Sequence, residues 1–189
     1  MSHTPFNKSR FNNLSKDSIV QVKHDSLSGV KQVISQGDLE DAEITGLAIA
    51  FTPKFADSKI LITAMVNHAI IWTHSFGILR DSNLLAQGSH GIEQGAAYNA
   101  SGNAGTQAFS TGGGAIICCF IKDDSTSNND RTGVSNFEYL DDADSTTART
   151  YKICCNSSFA NTAQNMIIGD RNSNGFSGLC SMTIYEIKQ

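Results

Sequence analysis

Charge, proline and long apolar runs are all scarce in this chain, and each scarcity removes a class of protein. Only 17% of the 189 residues are charged and 2 are proline, against a hydrophobic fraction of 40% and 16 glycines, a composition that excludes a disordered, charge-extended chain. The net charge of -4 with no cluster of Lys or Arg leaves no phosphate-tracking surface, so nucleic acid is not an expected partner. Apolar runs break long before the roughly 18 residues needed to cross a bilayer, which excludes helical membrane insertion. The opening stretch MSHTPFNKSRFNNLSK lacks the apolar centre of a secretory signal, and synthesis in the cytoplasm is expected.

Chemical signatures are equally scarce. The 5 cysteines fall as Cys118-Cys119, Cys154-Cys155 and Cys180, without the two-residue gap of a thiolate metal site. Neighbours on a strand point to opposite faces, so each doublet sends one thiol to each side. An odd count in a cytoplasmically made chain reads as reduced, buried packing groups. No GxSxG elbow is present, and Gly112-Gly113-Gly114 is followed by a strand-like segment rather than GK[ST], so neither an esterase nucleophile nor a phosphate loop is expected. His68 and His74 share a parity with Trp72 but lie roughly 20 Å apart along a straight strand, too far for one ion; half-buried, hydrogen-bonded rings are expected instead. The grouped acids Asp123-Asp124 and Asp141, Asp142 and Asp144 invite calcium or glycosidase chemistry. They fit neither the EF-hand spacing nor a carboxyl pair across a cleft, and Asp commonly bonds its own turn backbone. No catalytic residue, metal or cofactor is assigned.

What the chain has in abundance is alternation. In Gly46 to Asn67, GLAIAFTPKFADSKILITAMVN, the residues Leu47, Ile49 and Phe51 form one apolar parity opposite the small Gly46, Ala48 and Ala50. After the turn Pro53 to Ser58 the parity switches to Ile60, Ile62, Ala64 and Val66, and a central hairpin of two long strands is expected. A strand from Ser18 to His24 should face Val20 and Val22 inward. Asp25 to Gly37 fits either a strand or a turn of helix. Phe76 and Ile78 continue a further strand ending at Arg80, and Leu84 to Ala86 is a short apolar segment. Gln87 to Gly114 is a long glycine-rich, weakly hydrophobic region. Ala115 to Lys122 is apolar on both parities and is expected at the centre of a sheet. Strands over Gly133 to Leu140, Thr150 to Asn156 and Leu179 to Ile187 follow, with a short apolar segment at Met166 to Ile168.

About 8–10 strands at sandwich-like intervals and no long helix predict an all-β, antiparallel jelly-roll-like β-sandwich, with a closed up-and-down barrel as the alternative. Residues 18–189 form one domain. Residues 1–17, polar except for Phe6, Phe11 and Leu14, form an extended arm that can lay an apolar side chain into a neighbour's groove.

The pattern GLxIxxTPKxxxSKILIxxxVN, then FGILR at Phe76 to Arg80, the pair Leu140-Asp141, TYK at Thr150 to Lys152 and MTIYEI at Met182 to Ile187, resembles a recurrent β-domain of bacteriophage virion proteins. The resemblance runs from about Ile19 onward and departs after Asp141, where Asp142, Ala143 and Asp144 replace the usual small residue and Pro. It implies a non-enzymatic virion structural protein made in the host cytoplasm. The expected form is a homotrimeric short tail fibre or host-contacting appendage; the alternative is a capsid decoration (cement) protein, and a polysaccharide-cleaving appendage domain has only the grouped acids in its favour.

On that reading Tyr98, Asn99, Asn103, Phe109, Asn128, Asn129, Asn172 and Asn174 form the candidate contact surface for a host glycan or protein. Phe6, Phe11 and Leu14 anchor the arm to other virion proteins or to an adjacent protomer. Leu61, Met65, Cys118 and Phe120, apolar residues on the second face of central strands, form the candidate trimer interface.

Overall fold

The structure, a computed structural model, describes residues 15–28, 32–34, 42–69, 74–85, 97–98, 104–105, 118–120, 132–157, 166–169 and 178–189. Among the described residues all regular structure is extended: β1 (Ile19–Leu27), β2 (Gln32–Ile34), β3 (Ala42–Phe51), β4 (Lys59–Ala69), β5 (His74–Arg80), β6 (Asn83–Leu84), β7 (Ala97–Tyr98), β8 (Ala104–Gly105), β9 (Cys118–Phe120), β10 (Thr132–Asp142), β11 (Arg149–Ser157), β12 (Met166–Ile168) and β13 (Cys180–Ile187). The segment that fits either helix or strand contains the short strand β2.

One antiparallel sheet runs β1-β13-β4-β10, with β12 and β2 continuing it beyond the end of β13. The other runs β3-β11-β5, and β6 and β9 both pair with the remaining edge of β5. Numbering the eight principal strands β1, β3, β4, β5, β9, β10, β11 and β13 in chain order gives sheets 1-8-3-6 and 2-7-4-5. This is the jelly-roll connection, a sandwich of two four-stranded sheets.

The alternation seen in the sequence builds the core. Leu47, Ile49 and Phe51 from β3 and Ile60, Ile62, Ala64 and Val66 from β4 are buried, joined by Phe76, Ile78, Phe137, Tyr151, Ile153, Met182 and Ile184. Burial of each large apolar side chain contributes about 1.5–3 kcal/mol. Phe76 and Phe137 stack in parallel with centroids 6.0 Å apart, and Tyr151 meets Phe51 edge-on at 6.4 Å.

Three expectations change. The β3 and β4 strands do not form a hairpin, because they belong to different sheets and the turn between them crosses the sandwich. The parity switch across Pro53 to Ser58 fits either connection, and the strand pairing decides it: the two strands present their apolar sides to each other from facing layers. Val22 faces solvent at 50% exposure. The register of β1 on β13 slips between Ile19 and Gln21, and this bulge turns Gln21 and Leu27 toward the sandwich and Val22 away. Finally, among the described residues β9 pairs with β5 alone, which sets it at a sheet margin and not at the centre of the ladder.

Gly46 interrupts β3 with φ +92°. Ile44 and Leu47 are consequently both buried although they have opposite parity, and the pairing of β3 with β11 jumps from Ala48 to Glu43. A Cβ at Gly46 would stand 3.0 Å from Leu27 Cδ1, so glycine here serves both the backbone angle and the approach of β1.

Candidate functional site at the motif-bearing end

Among the described residues the polar network is concentrated where the β3–β4 turn meets the β10–β11 turn, joined by the bond from Ala143 N to Ser58 O at 3.0 Å. Glu186, near the end of β13, is fully buried. Its Oε1 accepts from Lys54 N at 2.8 Å, Phe55 N at 2.9 Å and Ser58 Oγ at 2.9 Å, and its Oε2 accepts from Gln21 Nε2 at 2.6 Å. One carboxylate thereby satisfies two turn amides and a hydroxyl from the β3–β4 turn and a side-chain amide from β1, which offsets the cost of burying its charge. Gln21 also donates to Thr52 O and Lys23 Nζ to Ala50 O, tying β1 to β3 across the sandwich edge. Lys188 Nζ lies 5.4 Å from the centroid of the Phe55 ring.

Asp141, at the end of β10, is the second buried acid. Arg80 Nη1 donates to both of its oxygens at 3.0 Å, and Tyr151 OH donates to Oδ2 at 2.9 Å. Burial first, and then the neighbouring Asp141 charge, push the Tyr151 phenol well above its ordinary range. For Arg80 burial pulls downward, but Asp141, Tyr151 and Asp144 together outweigh it and the guanidinium is held more firmly protonated. Asp144, with φ 55°, stands 3.6 Å from Arg80, and Asp142 pairs with Lys59. The sequence's acidic turn is therefore occupied by the protein's own cations and a phenol. Asp81 completes this end by exchanging bonds with Thr150, one through its backbone N–H and one through its carboxylate.

His68 is buried, its Nε2 within 2.9 Å of Ser135 Oγ and its ring 5.3 Å from that of Phe76. His24 is exposed and bonds Thr183. Cys154, Cys155 and Cys180 are buried free thiols. Burial pushes the Cys155 and Cys180 thiols up; the neighbouring Cys154 adds to the rise at Cys155, while a hydrogen bond from the Asn67 backbone opposes it at Cys180.

Of the contact residues expected from sequence, Asn99, Asn103, Phe109, Asn128, Asn129, Asn172 and Asn174 lie outside the described residues, as do Phe6, Phe11 and Leu14 of the arm and the Asp123-Asp124 pair. Tyr98 is placed by its backbone alone, opposite Ala104 in the β7-β8 ribbon. Leu61 and Met65 lie on the outer face of the β4 sheet, whereas Cys118 and Phe120 belong to β9 in the other sheet. A shallow depression of about 360 Å³ opens on that outer face beside Thr63, Met65, Asn136, Glu138 and Ser181.

The spacing of functional groups along the chain does not by itself bring together Arg80, Tyr151, Ser58 and Glu186. The signal was nonetheless in the repeated motifs: Ser58 stands in SKILI, Arg80 closes FGILR, Asp141 follows Leu140, Tyr151 is the centre of TYK and Glu186 stands in MTIYEI. These five polar members of the motifs bolt one end of the sandwich together, while apolar members such as Leu47, Ile49, Ile60 and Ile62 fill its core.

No family model matches the chain, and no curated protein sequence matches it. Among solved structures it is similar to that of the infectious bursal disease virus Gx strain, at 11% identity and a TM-score of 0.37, over 100% of this chain and 42% of that one. It is also similar to the VP2 subviral particle of infectious bursal disease virus, at 11% identity and a TM-score of 0.32, over 92% of this chain and 39% of the other. The chain thus spans about two fifths of the length of these structures.

Proposed function

We propose that this chain is a non-enzymatic structural subunit of a bacteriophage particle, serving as the compact head of a short tail fibre or a similar host-contacting appendage. The observation that carries the reading is the commitment of the motif residues to scaffolding. Ser58, Arg80, Asp141, Tyr151 and Glu186 are bonded to one another or to turn backbone, so the pattern shared with phage virion domains specifies a rigid platform and no reaction. Recognition of a host glycan or protein falls to the loops such a platform holds. The second reading is a capsid decoration protein, favoured by the isolated apolar residues Phe6, Phe11 and Leu14 in an otherwise polar segment, a pattern suited to laying side chains into the groove of a neighbouring capsid subunit.

Immunogold labelling of intact particles with antibody to the purified chain tests both. Label confined to the tail supports the appendage, label spread over the head supports the decoration protein, and particles without label overturn the virion assignment altogether.

A further inference from the structure

The outer face of the β1-β13-β4-β10 sheet is ruled into transverse rows by its register. Leu140 stands opposite Leu61, Leu61 opposite Tyr185 and Tyr185 opposite Val22, an unbroken apolar stripe across all four strands. Leu140 and Val22 are 53% and 50% exposed, and in the adjoining row Ile19 is 57% exposed beside Ile187. Adjoining the stripe on its other side is the row Glu138, Thr63, Thr183, His24, with an acid at one end and an imidazole at the other. Glu138 has no cationic partner among the described residues. Next come Asn136, Met65, Ser181 and Ser26. The one ion pair on the face, Lys59 with Asp142, is internally neutral and sits in the row of Ile187.

We propose that this face binds a second copy of the chain about a two-fold axis lying in the contact plane, parallel to the strands and midway between β4 and β13. That operation exchanges β10 with β1 and β4 with β13 while preserving the rows. Leu140 of one copy meets Val22 of the other, Leu61 meets Tyr185, Thr63 meets Thr183, and Glu138 meets His24. Stripe lies on stripe, and each acid faces an imidazole at both ends of the neighbouring row. A two-fold axis in the same plane but across the strands would set Glu138 against Glu138 and Leu140 against Asn136, wasting both complementarities. The pairing is isologous and closes at two copies, unlike the three-fold arrangement that the sequence resemblance implies. The face spans four strands and four residue rows, roughly 500 Å² in projection from standard strand spacings, so the two copies together bury about 1,000 Å², the lower end of the range for a specific interface. Aligned sheet-on-sheet packing accommodates the twist of both. The proposal concerns how copies meet and is independent of where on a particle they sit.

Sedimentation equilibrium of the full chain at micromolar concentrations tests it, with melts run in parallel because every substituted side chain is at the surface. Wild type should have a mass near twice 20.3 kDa. Leu140→Glu should be monomeric with an unchanged melt. Glu138→Lys and His24→Glu should each raise the dissociation constant about tenfold, and the double variant, which restores opposite charges across the axis, should recover most of that loss. A trimeric or monomeric wild type overturns the proposal, as does a double variant that dissociates as readily as the singles. So does a full chain that dimerises only once residues 1–14 are removed, since its own N-terminal segment would then cover the face.

Discussion

Ser58 donates its hydroxyl to Glu186 Oε1 at 2.9 Å across 128 positions of sequence, so the last strand of the chain holds the turn that carries it from one sheet to the other. Replacing Glu186 by Ala leaves Lys54 N, Phe55 N, Ser58 Oγ and Gln21 Nε2 without this acceptor. The expected destabilisation is about 3 kcal/mol, a fall in melting temperature of roughly 6–12 °C for a domain of this size. Glu186→Gln keeps two acceptor sites and should lose about half as much. A melt of the Ala variant within about 2 °C of wild type would show that the turn is held by other means.

The phenol of Tyr151 should remain un-ionised in the folded protein at pH values where ordinary tyrosines titrate. Its folded pKa is raised by burial and by Asp141. The resulting stability is fully present below the unfolded value of about 10 and is lost as pH rises toward the folded one. Ultraviolet titration should show one of the 4 tyrosines ionising only together with alkaline unfolding, and Tyr151→Phe should abolish that delayed step. Gradual ionisation of all four on the folded protein would contradict the buried bond.

Gly46→Ala should destabilise through the backbone. At φ +92° an L side chain is strained, and the added Cβ crowds Leu27. A loss of about 1–2 kcal/mol is expected, read as a lower urea midpoint at unchanged slope. An unchanged midpoint would mean that β3 relaxes without cost.

Cys154, Cys155 and Cys180 should resist alkylation in the native state, since they are buried and the thiolates of Cys155 and Cys180 are disfavoured. Peptide mapping after iodoacetamide should find these three labelled only after unfolding. Reductant should shift the melt by no more than about a degree, whereas loss of a cross-link worth about 2–4 kcal/mol would move it by several.

The sequence alone determined the layer structure, because burying one face of a strand imposes a period of two that survives in the residue order. Leu47 to Phe51, Ile60 to Val66 and Met182 to Ile184 were legible for that reason, as was the all-β class. It also contained the scaffolding residues, as members of short motifs whose purpose is invisible until Ser58, Arg80, Asp141, Tyr151 and Glu186 are brought to one end of the sandwich. Tertiary structure alone decided which strands pair, because the same parity switch at Pro53 is written whether the chain turns back in one sheet or crosses to another. It also decided the outward turn of Val22, because a bulge shifts register without changing composition. The stripe from Leu140 to Val22 is a property of four strands aligned side by side. Its members are separated by long stretches of sequence, and only the hydrogen-bond register of the sheet puts them in one row.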